Sequence, residues 1–136
     1  MTSVLNSSVS YILIVDHDKI DYHFLRPAIA KIIPDAIVES LYDDLETVSY
    51  IDRHIARPNL IFLELNKSKI SDENTIVRVR KNQDLARVPI IILSAANNDT
   101  EKAELLALGA DAFYAVADNE EMLNNMLREV KQNYFK

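Results

Sequence analysis

Five short apolar runs alternate with five segments of helical period along this 136-residue chain. The runs are Tyr11–Val15, Ala36–Leu41, Leu60–Leu65, Ile90–Leu93 and Ala112–Ala115. Four of them are rich in Ile, Val, Leu or aromatic residues, as strands buried on both faces tend to be. Glu39 and Ser40 interrupt Ala36–Leu41, which predicts an edge strand there. The first helical stripe, within Ile20–Ile33, is Ile20, Phe24, Leu25, Ile29 and Ile32. Leu45, Val48, Ile51 and Ile55 form the second, Ile76 and Val79 a weaker third, and Leu105, Leu106 and Leu108 a short fourth. Met122, Leu123, Met126, Leu127, Val130 and Tyr134 form the last and clearest.

Start and stop signals agree with this parse. Asp43 or Asp44, Ser71, Asn98 and Asp118 stand where helix N-caps belong. Asn98 with Glu101, and Asp118 with Glu121, have the spacing of capping boxes. Gly109 follows the fourth stripe, where a left-handed residue ends a helix well. Pro34 closes the first helix, but Pro27 falls inside it and predicts a kink or a late start. Five strand–helix alternations predict an α/β fold: a doubly wound parallel sheet with helices on both faces. No repeat or linker divides the chain, so one domain is expected over 1–136, with its core at about 11–135. Such sheets place function at the carboxyl ends of their strands. Here those ends are Asp16–Asp18, Glu64–Lys69, Ser94–Ala95 and Val116–Ala117.

Composition removes several chemistries. The chain has no cysteine, which excludes disulfides, thiolate zinc sites and thiol catalysis. Its single glycine excludes P-loop, GxGxxG and GxSxG motifs. His17, His23 and His54 are too scattered for a HExxH zinc site. A net charge of −6 is the wrong sign for a broad nucleic-acid footprint. No apolar run is long enough to span a membrane, and the first ten residues do not read as a signal peptide. A cytoplasmic protein is expected.

Two strands end in acids. Ile12-Leu-Ile-Val-Asp16-His17-Asp18 places two carboxylates at a turn that apolar packing does not explain. They read equally as a cation or phosphoryl site, or as an N-cap (Asp18) beside a solvated strand end (Asp16). Leu60-Ile-Phe-Leu-Glu64-Leu-Asn66 repeats the pattern, and a buried strand does not favour a lone carboxylate. Pro89-Ile-Ile-Ile-Leu-Ser94-Ala95 ends in a hydroxyl.

These segments, with Arg57-Pro-Asn-Leu-Ile-Phe and Leu108-Gly-Ala-Asp-Ala-Phe113, make the chain resemble the receiver domain of two-component response regulators. The resemblance runs from about Tyr11 to Phe135, and the spacing of Glu64, Ser94 and Val116 fits it. It is most similar to small stand-alone receivers. The resemblance implies a flavodoxin-like sheet of order 2-1-3-4-5. It also implies two metal-holding acids after the first strand and a phosphoaccepting aspartate ending the third. A Ser or Thr ends the fourth strand, a lysine ends the fifth, and an aromatic on the fifth reports the state. Position by position, the first acid is Asp16 and the second has become His17. The acceptor has become Glu64, the hydroxyl is Ser94, the lysine has become Val116 with Ala117 after it, and the aromatic is Phe113. The usual glycine after the third strand is absent from Lys67–Asn74.

The departures converge on a degenerate site. Glu64 is one methylene longer than aspartate, and a misplacement of about 1 Å can cost a hundredfold in rate. Loss of the lysine removes the charge that stabilises a transferring phosphoryl group. His17 in place of an acid weakens the site for a hard cation, leaving Asp16, Glu64 and the Asn66 carbonyl as candidate ligands for weak or absent magnesium, with His17 and Asp18 nearby. His17 or Lys67 could supply a counter-charge. The expectation is a non-enzymatic signalling module of a two-component or phosphorelay system, meeting a histidine kinase or a downstream protein rather than nucleic acid or membrane. A homodimer through the fourth helix, fifth strand and fifth helix would use Lys102, Glu104, Asp111, Tyr114, Arg128 and Glu129. Two alternatives stand beside it. One is a receiver still competent for phosphotransfer. The other is a phosphatase resembling the haloacid dehalogenases, with Asp16 as nucleophile, Asp18 as acid–base and Ser94 in the second motif. Against the latter, the later strand ends carry no lysine and no paired acids, and there is no cap domain.

Overall fold

The alternating pattern folds into a parallel sheet whose pleat assigns each apolar side chain to one of two helical layers. The computed structural model describes residues 10–16, 25–41, 49, 57–65, 69–94, 98–115 and 119–135. Its strands are β1 (Ser10–Asp16), β2 (Ala36–Leu41), β3 (Leu60–Glu64), β4 (Ile90–Ser94) and β5 (Ala112–Ala115). Its described helices are α1 (Leu25–Ile32), α2 (Lys69–Lys81), α3 (Asp99–Leu108) and α4 (Glu120–Tyr134). The sheet order is β2-β1-β3-β4-β5, and every pairing is parallel. β2 is the expected edge, and its side chains alternate between exposed and half-buried up to Leu41.

Alternation decides the layers. Leu13, Val15, Ile61, Leu63, Ile90 and Ile92 face one side and pack with Ile76 and Val79 of α2 and Leu105 of α3. Ile12, Ile14, Leu60, Phe62, Ile91 and Leu93 face the other and pack with Leu25 and Ile29 of α1 and Leu123, Leu127 and Val130 of α4. β1, β3 and β4 therefore carry apolar side chains on both faces, and each fully buried Ile, Leu or Phe stabilises by about 1.5–3 kcal/mol. The two residues of the weak third stripe, Ile76 and Val79, are both buried.

Helix ends follow short-range chemistry. Asn98 Oδ1 accepts the Glu101 amide at 3.0 Å, as the sequence predicts. Gly109, at φ 126°, closes α3 with its own amide on the Leu106 carbonyl and that of Ala110 on Leu105, the paired bonds of a Schellman cap. A Cβ there would lie 3.0 Å from Arg80 Cγ, so both conformation and space require glycine.

Several expectations change. α2 begins at Lys69, which puts Ser71 in its first turn rather than at the cap. The cap of α4 is Asn119, whose Oδ1 accepts the Met122 amide at 3.1 Å, and not Asp118. Adjacent Asp and Asn both satisfy the sequence rule, and the backbone chose the second. Met122 is half exposed, whereas Asn124 is buried within the α4 stripe. The strand expected over Leu60–Leu65 ends at Glu64, although the Leu65 amide still bonds the Leu93 carbonyl at 2.9 Å. Five helices were expected and four are described. The stripe Leu45–Ile55 lies outside the described residues except for Ser49, which is helical. Pro27 is the third residue of the described part of α1, and the stretch Ile20–Phe24, where the kink or late start would show, lies outside the described residues.

One polar cluster was not anticipated. At the amino edge of the sheet, the Arg80 guanidinium donates to the carbonyls of Gly109 (2.9 Å), Val88 (2.7 Å) and Ala86 (3.3 Å). It also pairs with Asp111 at 2.8 Å, and the same Asp111 oxygen accepts the Ile90 amide at 2.8 Å. This arginine ties the end of α2 to the segments that lead into β4 and β5.

Candidate functional site

In a parallel sheet all strand carboxyl ends share one edge, and here they bring three of the predicted positions together. Asp16 ends β1, Glu64 ends β3 and Ser94 ends β4. The backbone register sets Asp16 opposite Glu64 and Glu64 opposite Leu93. Ser94 is thus one residue beyond the Glu64 pairing, and the pleat turns its Cβ to the opposite face at the strand terminus.

Glu64 is 2% exposed and Ser94 6%, and both are engaged by neighbours. The Glu64 carboxylate therefore lies beneath the surface at the position where the resemblance places a phosphoacceptor. Burying such a group without compensation costs several kcal/mol, so its surroundings must supply that compensation.

Phe113 stands opposite Ile92 in the register and is buried in the layer of α2 and α3 with Leu63 and Leu105. Its neighbour Tyr114 points to the other layer, where its hydroxyl donates to Glu129 of α4 at 2.8 Å. Burial first, and then Glu129, push the Tyr114 hydroxyl pKa well above its ordinary value. Below the ordinary tyrosine pKa of about 10, folded and unfolded chains are both neutral here, and the pair stabilises. Above it the unfolded chain loses the proton and the folded chain keeps it, so stability falls as pH rises. Tyr114→Phe is expected to lose about 1 kcal/mol at neutral pH and to show a shallower decline above pH ~10 in urea titrations.

The remaining predicted positions, His17, Asp18, Asn66, Lys67, Val116 and Ala117, lie outside the described residues. Among the described residues no three His, Asp or Glu side chains converge as a metal site. The residues of the expected partner face have partners within the chain or stand exposed. Lys102 and Glu104 are exposed on α3, but Asp111 is held by Arg80 and Tyr114 by Glu129. Arg128 lines a groove with Lys31 of α1, on a different side of α4. Sequence reasoning missed the Arg80 cluster, for which the only signal was a cation beside the buried Val79.

A five-stranded parallel sheet of order 2-1-3-4-5 is the flavodoxin-like fold that response regulator receiver domains share. The comparisons with known proteins agree. Response regulator Rcp1 of Synechocystis sp. is 23% identical over 125 residues, covering 88% of this chain and 85% of that protein. The Mn(2+)-bound crystal structure of Rcp1 superposes with a TM-score of 0.74 at 21% identity, covering 93% of this chain and 95% of that one. The phosphorylated cyanobacterial phytochrome response regulator RcpA gives 0.79 at 21% identity, covering 92% and 93%. No family model matches the chain. Among the described residues no helix is long and apolar enough to cross a membrane.

Proposed function

We propose that this chain is a single-domain, cytoplasmic receiver module of a two-component or phosphorelay system. Its acceptor position takes no phosphoryl group, and it signals by protein–protein contact. The observation that carries this reading is the buried Glu64 at the carboxyl end of β3, in register with Asp16. Its fold and its relatives are those of response regulators. The altered site chemistry separates it from a working receiver. A glutamate nucleophile sits about 1 Å too far along its side chain, and Val116 offers no cation to the transferring group. The extra methylene extends the carboxylate toward where an acceptor's phosphoryl oxygens would lie, which would let Glu64 mimic part of the phosphorylated state. Its partners are a histidine kinase or a downstream signalling protein, and a homodimer would draw on α3, β5 and α4.

Magnesium tests the site separately. The ligands available are Asp16, Glu64 and the Asn66 carbonyl, hard oxygen donors of the right kind, with His17 where the pattern has a further acid. Bound magnesium would neutralise the carboxylates at the strand ends. With two carboxylates in place of three, calorimetric titration is expected to show affinity no tighter than millimolar. A micromolar dissociation constant would contradict a degenerate site.

A further inference from the structure

A groove of about 530 Å3 lies between the last turns of α1 and α4, lined by Lys31, Ile32, Arg128, Lys131, Gln132 and Phe135. Both helices run back from the carboxyl edge of the sheet, so the groove is at the opposite edge from Glu64. Every charged residue lining it is a cation, in a chain whose net charge is −6. Lys131 Nζ donates to the Ile32 carbonyl at 3.1 Å, capping the end of α1. Arg128 donates to a neutral partner, Asn125 Oδ1, at 3.0 Å. Among the described residues none of the three cations is in an ion pair. Two helix carboxyl ends contribute only about half a negative charge each, so three full positive charges leave a surplus. Ile32 and Phe135 are partly buried against the core below and give the groove an apolar element between the cations.

We propose that this groove docks an acidic segment of a partner protein. One apolar side chain would rest on Ile32 and Phe135, and flanking carboxylates would meet Lys31 and Arg128. The occupant follows from charge and shape. A lipid surface or a nucleic-acid backbone needs a broad cationic face. Here exposed acids interrupt the surroundings, with Asp35 just beyond α1 and Glu129 on α4. A concave, locally cationic trough with an apolar floor suits one narrow segment. The site lies away from Glu64 and stands whatever the fate of that residue.

The test is an NMR titration of the isotope-labelled full chain with a short peptide of Glu and Asp carrying a central Leu. The expected result is amide shifts centred on Ile32, Lys131 and Phe135, weakened when Ser replaces the Leu and lost at high salt. Arg128→Glu and Lys31→Glu are both exposed changes that leave the core intact, and each is expected to weaken binding about tenfold. Phe135→Ser should remove the preference for Leu over Ser. A peptide of Lys in place of the acids, and phosphatidylserine vesicles, serve as competitors. Absent shifts, shifts confined to another face, or equal binding of the Lys peptide would overturn the proposal. Binding to the vesicles alone would assign the groove to a membrane and overturn it equally.

Discussion

Arg80→Ala is expected to lower the unfolding free energy by about 3 kcal/mol in urea denaturation, a large effect for a single partly buried arginine. The ion pair to Asp111 is a minor part of that figure. Both side chains are partly solvated, at 20% and 39% exposure, and such pairs contribute at most about 1 kcal/mol. The larger part comes from the carbonyls of Gly109 and Val88, which accept charge-assisted bonds of 2.9 and 2.7 Å. Each such bond contributes about 1.5 kcal/mol or more. The alanine variant leaves both carbonyls short of a donor and removes the stem that packs under the Gly109 turn. Arg80→Lys should recover less than half of the loss, because one ammonium cannot span carbonyls that a planar fork reaches together. Asp111→Asn should cost only about 1 kcal/mol, since an amide oxygen can still accept from Ile90. If Arg80→Ala were no more costly than Asp111→Asn, the cluster would be an ordinary surface pair.

On the proposed reading, restoring the site pattern should create a phosphoacceptor activity that the native chain is expected to lack. His17→Asp, Glu64→Asp and Val116→Lys together return an acid for magnesium, a nucleophile of the shorter reach and a cation for the transferring group. Ser94 is already in place at the end of β4. Incubated with acetyl phosphate and magnesium, this triple variant is expected to gain the mass of one phosphoryl group, on residue 64. Electrostatic stabilisation at a transferring group is typically the largest single contribution to such a step. Glu64→Asp alone is therefore expected to stay unmodified or react at least about a hundredfold more slowly. A folded triple variant that remains unmodified would show that the defect lies beyond these three positions.

The sheet was legible because two faces impose two constraints at once. Ile12 and Ile14 serve one layer and Leu13 and Val15 the other, so a buried parallel strand can only be a short, continuous apolar run. The strand-end positions of Glu64 and Ser94 were legible for a related reason: they are polar residues at the ends of such runs, and topology gathers those ends at one edge. Contacts that join distant loops were not legible. Arg80 reaches carbonyls at 86, 88 and 109, and no local pattern marks a residue as their donor. The α4 stripe was read one residue wide of the truth. Asn124 is polar by composition yet buried, and its Oδ1 has no hydrogen-bond partner among the described residues. Met122 lies past the edge of the stripe, beside Met126, in the first turn. The basic groove escaped notice because Lys31 and Arg128 are far apart in sequence and meet only when α1 packs on α4.

Intact-mass spectrometry of the native chain after incubation with acetyl phosphate and magnesium addresses the central claim most directly. The account predicts an unchanged mass, because it takes Glu64 to be too long for the acceptor position, Val116 to offer no cation and magnesium to bind weakly. A stoichiometric gain of one phosphoryl group, mapped to Glu64 and abolished in Glu64→Gln, would contradict it.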